Sequence, residues 1–153
     1  MSDSLKDTLR SDLTESIRAR DTVRSATLRM ALTAVTTEEV AGEVARTLTD
    51  DEVLKVLAKE AKKRKEAATA YAGADRPELA AKEEAELVVL EGYLPAQLRD
   101  EELAALVAEA VAQTGATGMA QLGLVMKVAQ PLAAGRADGG RVAAAVRRAL
   151  GAS

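Results

Sequence analysis

The sequence contains no cysteine and no histidine, and it is almost devoid of aromatic side chains. Trp and Phe are also absent, which leaves Tyr71 and Tyr93 as the only aromatic residues. Without Cys and His there is no disulfide bond, no thiolate nucleophile, no imidazole base and no tetrahedral zinc site of the usual ligands. The scarcity of rings argues against a single-strand binder, because such proteins stack bases on aromatic side chains.

Long apolar runs are missing as well. No stretch approaches the roughly 18 consecutive apolar residues of a membrane span. Residues 1–20 carry acidic side chains where a signal peptide needs an apolar centre. We therefore expect a cytoplasmic protein without a membrane partner, and the 153 residues suffice for one domain or two small ones.

Charge is distributed unevenly along the chain. The net charge of −3 and the pI of about 5.2 do not by themselves suggest a polyanionic partner. Residues 1–95, however, carry 15 basic and 19 acidic side chains, whereas residues 112–153 carry five basic side chains against Asp138 alone. The C-terminal third is therefore basic although the whole chain is acidic.

The hydrophobic pattern is helical throughout. Leu5, Leu9, Leu13 and Ile17 stand four residues apart, and no stretch shows the alternation of a half-buried strand. Helix-start signals recur ahead of such runs, at Ser4, Asp21, Thr49 and Pro77. The sequence predicts an all-α protein.

Two regions are predicted on either side of Pro95. Proline disfavours helical geometry at the preceding Leu94, and only three of the ten glycines precede residue 95. We predict antiparallel helices over residues 1–94 and a small three-helix bundle over 95–153. Its helices are expected at 100–112, at 118–129 with an end near Pro131, and at 139–150 with Asp138 as the cap.

The C-terminal region supplies the first candidate site. A glycine-bounded turn joins its last two helices, and the N-terminus of a helix attracts anions. A structural explanation is equally open, because Gly135 and Gly139 permit a turn and Asp138 caps the helix, and both can hold at once. The candidate contacts for such an anion are the basic side chains of this region, Lys127, Arg136, Arg141, Arg147 and Arg148.

The third predicted helix supplies a second basic face. Four lysines share one side of it, forming a rail for phosphates: Lys55, Lys59, Lys62 and Lys63. The alternative is a solvated face, on which Glu60 pairs with Arg64 and on which Glu52 and Glu66 dilute the positive charge.

Nothing in the sequence indicates catalysis. No serine lies in a glycine-flanked nucleophile elbow, and the acidic cluster at 83–91 lacks the glycine turn of a calcium loop. The glycines form neither a phosphate-binding loop nor a dinucleotide fingerprint. We predict no catalytic residue, no metal ligand and no cofactor.

Three motifs carry a family resemblance. They are the basic run Lys59-Glu60-x-Lys62-Lys63-Arg64, the break Tyr93-Leu94-Pro95-x-Gln97-Leu98, and Gly123-x-Val125-Met126-Lys127 followed by Pro131 and Gly135-Arg136-Ala137-Asp138-Gly139. Together they resemble the YqeY family over nearly the whole chain. The C-terminal part is similar to the tail domain of the B subunit (GatB) of the glutamine-dependent tRNA amidotransferase.

The resemblance implies an all-helical, two-domain protein whose C-terminal relatives contact tRNA. It does not imply catalysis, because the amidotransferase chemistry belongs to domains without a counterpart here. A family label of carbon-nitrogen ligase with glutamine as amido donor is accordingly expected to describe the larger protein. The predicted function is a non-catalytic tRNA-binding accessory, in which the five basic side chains of the C-terminal region contact the RNA, with an aminoacyl-tRNA synthetase or an amidotransferase as a further partner. The alternative is a helical protein-interaction module that binds no RNA. A third hypothesis is an enzyme subunit, whose activity would be that of an amidotransferase-related component.

Overall fold

The computed structural model describes residues 4–151, and over that range all of the regular secondary structure is helical. This confirms the all-α prediction. The described residues contain one short 3₁₀ helix, Met119–Gln121, and the following α-helices: α1 Leu5–Arg18, α2 Thr22–Glu39, α3 Asp50–Gly73, α4 Pro77–Glu91, α5 Asp100–Thr114, α6 Leu122–Ala133 and α7 Gly139–Ala149.

Four helices begin at capping side chains that the sequence predicts. Ser4, Asp21 and Asp138 each accept a hydrogen bond from a backbone N–H in the first turn. Thr49 and Glu52 form a reciprocal capping box, in which the threonine hydroxyl accepts from the backbone of Glu52 at 3.2 Å. Such bonds satisfy N–H groups that have no partner within the helix, so they fix where each helix starts.

The helix around Pro131 differs from its predicted bounds. It begins as the 3₁₀ turn, and α6 continues two residues past Pro131 to Ala133, so the predicted end is wrong. A proline in the last turn of a helix removes only one helical hydrogen bond, so the helix continues past it. The chain reverses after the end of the helix. Ala134 and Gly135 adopt positive φ angles of 49° and 76° and reverse the chain there.

The chain divides into two compact units, the first ending at Leu94 and the second beginning at Pro95. In the first unit, α1 to α4 enclose a core of large aliphatic side chains: Leu9, Leu28, Val35, Val53, Leu57 and Leu90. In the second, α5, α6 and α7 pack against one another around a core of leucine, valine and alanine side chains: Leu103, Val107, Ala110, Val125, Ala129, Ala133, Val142 and Val146.

The first unit also buries an ion cluster between α3 and α4. The Arg64 side chain is 6% exposed, and its Nη1 donates to Glu60 Oε1 at 3.0 Å. Glu86 on α4 brings its Oε2 to 3.6 Å from Arg64 Nε, which has no hydrogen-bond partner within the described part of the chain. Burial by itself raises the pKa of Glu60, but hydrogen bonds from Lys63 and Arg64 outweigh it and hold that pKa below its ordinary value.

A second polar network joins α1 and α2 to the segment after α4. The Tyr93 hydroxyl donates to Asp12, and Arg24 donates to the Tyr93 hydroxyl oxygen at 2.9 Å. Desolvation and the bond to Asp12 raise the pKa of Tyr93 well above its ordinary value, so the phenol stays protonated. These bonds hold the last residues of the first unit against its helical hairpin.

Candidate functional site

Three of the five predicted RNA-binding residues are exposed cations. Lys127 lies on α6, and Arg147 and Arg148 lie in the last turn of α7. None of the three forms an ion pair with any residue of the range 4–151. The two arginines sit at the C-terminal end of α7, where the helix dipole favours positive charge. Their charges therefore face solvent without an intramolecular carboxylate.

Arg136 is half-buried and is bonded to backbone rather than to a carboxylate. Its Nε donates to the carbonyl of Ala96 at 2.8 Å, and its own carbonyl accepts from the Leu98 amide at 2.7 Å. These bonds attach the segment that leads into α5 to the turn between α6 and α7. A carbonyl is neutral, so Arg136 keeps its full positive charge while its guanidinium is held in place.

Arg141 fastens the same segment at a second point. Its Nη2 donates to the carbonyl of Leu98 at 2.9 Å and to Asp100 Oδ1 at 3.0 Å. Arg141 is half-buried, whereas the Asp100 side chain is 93% exposed. Arg136 and Arg141 thus stabilise the second unit directly, a role that one-dimensional spacing does not show.

Asp138 caps α7 as predicted, since its Oδ1 accepts from the Arg141 amide at 3.0 Å. One of the free N–H groups that the sequence offered to an anion is therefore occupied by this carboxylate. Gly135, with its φ of 76°, serves the turn, because side-chain-bearing residues rarely adopt that conformation. The cations around the turn, rather than the helix end, remain the candidate binding groups.

Three acidic residues of the second unit, Asp100, Glu101 and Glu102, lie in the first turn of α5. Glu102 accepts from the backbone N–H of Arg99 at 2.9 Å and from its side chain at 3.1 Å. These bonds hold the pKa of Glu102 below its ordinary value, the backbone bond contributing most. The acids near residue 100 thus stabilise a helix start, where a negative charge opposes the dipole favourably.

The predicted second basic face lies on α3. Lys55, Lys59 and Lys62 are exposed, and none of them is ion-paired within residues 4–151. Lys63 is 60% exposed and donates to Glu60 at 3.0 Å. The four lysines do share one side of the helix, opposite its buried residues.

The prediction that Glu60 and Arg64 form a solvated pair on the lysine face is wrong, because both residues are buried. A signal was available, because Glu60 and Arg64 continue the spacing of the apolar stripe that runs through Val53, Leu57, Ala61 and Ala68. Their positions in this stripe predict that Glu60 and Arg64 are buried, even though both side chains are charged.

An open groove of about 400 Å³ lies between α1 and α2. Five of its seven lining residues are polar, and the full lining is Lys6, Arg10, Leu32, Thr33, Thr36, Thr37 and Val40. Lys6 is already paired with Glu39 at 2.6 Å, and each threonine donates to a carbonyl of its own helix.

Two further properties concern the described range alone. Residues 4–151 contain no group of three or more acidic, His or Cys side chains arranged to hold a metal ion. Within the same range, every helix is too short or too polar to cross a membrane.

Comparison with known proteins gives a family assignment. A family model described as "Yqey-like protein" matches residues 6–150. The chain is also similar to an uncharacterised protein of the fission yeast Schizosaccharomyces pombe, with 34% identity over 93 residues. That alignment covers 60% of this chain and 73% of the yeast protein. Since the family model spans nearly the full length, this chain belongs to the YqeY family.

Proposed function

We propose that this protein is a non-catalytic accessory that binds tRNA through the basic side chains of its second unit. The observation that carries the proposal is the state of Lys127, Arg147 and Arg148, which are exposed and unpaired within residues 4–151. Basic groups without stacking aromatic rings suit the phosphates and 2′-hydroxyls of a folded RNA better than splayed single-stranded bases.

Arg136 and Arg141 take a different part in this proposal. Both are bonded to backbone carbonyls of residues 96–98, so their guanidinium planes are held before any ligand arrives. A held donor loses little conformational entropy on binding, whereas a mobile lysine loses more. Arg136 in particular supplies a fixed, un-neutralised charge next to the adaptable ones.

The second unit is further proposed to be related to the tail of the amidotransferase B subunit. This is supported by the Val125-Met126-Lys127 segment, by the basic glycine turn and by a three-helix architecture. Under this proposal the protein assists an aminoacyl-tRNA synthetase or an amidotransferase by holding tRNA, and it contributes no reacting group.

The proposal is tested by titrating bulk tRNA against the wild-type protein and a Lys127→Ala/Arg147→Ala/Arg148→Ala variant. Affinity is measured at about 50 mM and about 200 mM salt, because each phosphate contact adds about 0.7 to 0.9 to the salt slope. We expect the variant to bind more weakly, with a slope smaller by about two to three. Alanine retains helix propensity, so α6 and α7 should form normally in this variant.

A control variant removes the same amount of charge elsewhere. Arg18→Ala/Arg29→Ala/Arg76→Ala alters three exposed arginines of the first unit, all outside both basic faces. We expect it to bind tRNA with nearly the wild-type affinity. Equal weakening in the two variants would mean that net charge alone governs binding, and it would overturn the assignment to the second unit.

A protein-interaction module is the second candidate. It is favoured by the connection between α2 and α3, where Val40 and Val44 are 60% and 77% exposed. Exposed apolar side chains grouped on one segment often mark a contact surface. The test is gel filtration of the wild type and a Val40→Ser/Val44→Ser variant over a range of concentrations. A wild-type protein that elutes as a monomer throughout argues against self-association through this segment.

A further inference from the structure

We propose that the lysine face of α3 is a second contact surface for the phosphodiester backbone of nucleic acid, located in the first unit. The inference shares its ligand class with the proposed function and rests on it to that extent. It assigns the contact to different residues, namely Lys55, Lys59 and Lys62, on a helix that the family resemblance links to no ligand. Its success or failure is therefore measured separately.

The geometry of α3 places the three side chains in a narrow band. At 100° per residue, Lys55, Lys59 and Lys62 fall within about 60° of one another around the helix axis. They span about 10 Å along that axis, at about 1.5 Å per residue. All three are exposed, on the side opposite to the core residues Val53 and Leu57.

The acidic residues of α3 neutralise this band less than the sequence suggests. Glu60 is buried, and it is bonded to Arg64 at 3.0 Å on the inner side of the helix. Glu52 is paired with Arg46 from the preceding connection. From residue 55 to residue 66, the exposed charged side chains are five lysines, of which Lys63 is paired with Glu60, and the carboxylate of Glu66. The burial of Glu60 and Arg64 thus removes the main reason for treating this face as electrically mixed.

The composition of the face favours nucleic acid over a protein partner. The centres of protein interfaces are apolar, rich in aromatic residues and arginine, and depleted in lysine. The exposed large apolar residues of the first unit lie elsewhere, at Ile17, Val23, Met30, Val40, Val44 and Val88, and none of them is on α3. A row of mobile ammonium groups without an apolar centre suits phosphate oxygens, which need charge rather than shape.

The test uses the full-length protein with two probes, bulk tRNA and duplex DNA of similar length. A Lys55→Ala/Lys59→Ala/Lys62→Ala variant is compared with the wild type and with the exposed-arginine control. We expect its salt slope for tRNA to be smaller by about two, which is about 16-fold in the ratio of affinities at about 50 and 200 mM salt. A Lys55→Arg/Lys59→Arg/Lys62→Arg variant keeps the charge, and it should bind as the wild type does.

The outcomes separate this inference from the proposed function. An unchanged affinity and salt slope in the α3 alanine variant overturn the inference. The assignment of tRNA binding to the second unit is then decided by the Lys127→Ala/Arg147→Ala/Arg148→Ala variant. Loss in the α3 variant alone supports the inference and overturns the second-unit assignment. A wild-type protein that binds neither probe at about 50 mM salt overturns both. Parallel losses with tRNA and duplex DNA identify the phosphodiester backbone as the ligand, and loss with tRNA alone restricts it to RNA.

Discussion

The first unit buries four charged side chains, whereas the second buries none among the residues that the structure describes. Glu39, Glu60, Arg64 and Glu86 are all inside the first unit and are paired with one another or with Lys6 and Lys63. In the second unit, every buried residue of the described range is Leu, Val or Ala. Of its cations, Arg99 and Arg141 pair with Glu102 and Asp100, Arg136 bonds to a backbone carbonyl, and Lys127, Arg147 and Arg148 form no ion pair within the described residues.

This difference shows that counting charges along a chain does not reveal which of them a partner meets. The first unit has more basic residues, but part of their positive charge is neutralised by ion pairs with buried carboxylates. The second unit has fewer, and most of its positive charge stays at the surface. Removing a buried charge should therefore lower the free energy of unfolding, whereas removing an exposed cation of the second unit should weaken binding.

The largest effect is expected from Arg64→Ala. The substitution leaves Glu60 and Glu86 buried without their cation, which costs about 3 to 5 kcal/mol in the free energy of unfolding. Urea unfolding followed by circular dichroism measures the loss. Arg29→Ala, an exposed change in the same unit, should stay within about 0.5 kcal/mol of the wild type.

Hydrogen exchange on the Arg64→Ala variant sharpens the comparison. We expect the amides of α3 and α4 to exchange faster, while those of α5 to α7 keep their protection, because the two cores consist of separate residues. The same measurement tests the prediction that residues 1–94 and 95–153 are domains that fold independently. Equal acceleration in all the helices would contradict them.

A smaller effect is expected from Val146→Ala in the second unit. Val146 is fully buried among aliphatic neighbours, so removing two methyl groups costs about 2 kcal/mol through lost burial and an unfilled cavity. Thermal unfolding of the variant measures this loss. We expect its exchange protection to fall in α5 to α7 and not in α3 and α4, the reverse of the Arg64→Ala pattern.

The smallest effect is expected from acidification, through Glu60. Its pKa lies below the ordinary value of 4.5, so its ionised form is favoured in the folded state. That contribution is complete above about pH 4.5 and is lost as the pH falls through the lowered pKa. Burial opposes the hydrogen bonds at this carboxylate. In urea unfolding between pH 6 and pH 3, Glu60→Gln should weaken the pH dependence, and an unchanged slope would contradict the assignment.

Much of the fold follows from local sequence signals. Ser4, Asp21, Thr49 and Asp138 mark helix starts because a cap acts within one turn of its own position. The end of α6 could not be obtained this way, since Pro131 is tolerated in a last turn that has few helical bonds left to lose. The backbone reversal falls at Ala134 and Gly135, where a non-glycine residue shares the positive φ.

The sequence identifies the residues of the candidate sites, but it does not show what each side chain contacts in the fold. Lys127, Arg147 and Arg148 are exposed, as expected of binding residues, whereas Arg136 and Arg141 bond to residues about 40 positions away. No periodic pattern reports contacts of that separation. The helical spacing of the apolar residues of α3 predicts the burial of Arg64, but the run of charged residues around it in the sequence suggests an exposed position.

The scarcity of aromatic residues has an optical consequence. Both tyrosines belong to the first unit, and residues 95–153 contain no chromophore that absorbs near 280 nm. Tyr93 is held between Asp12 and Arg24, so its emission should change when that network opens. Intrinsic fluorescence therefore reports on the first unit alone, and a single tyrosine or tryptophan placed on an exposed position of α5 would make the second unit visible in the same measurement.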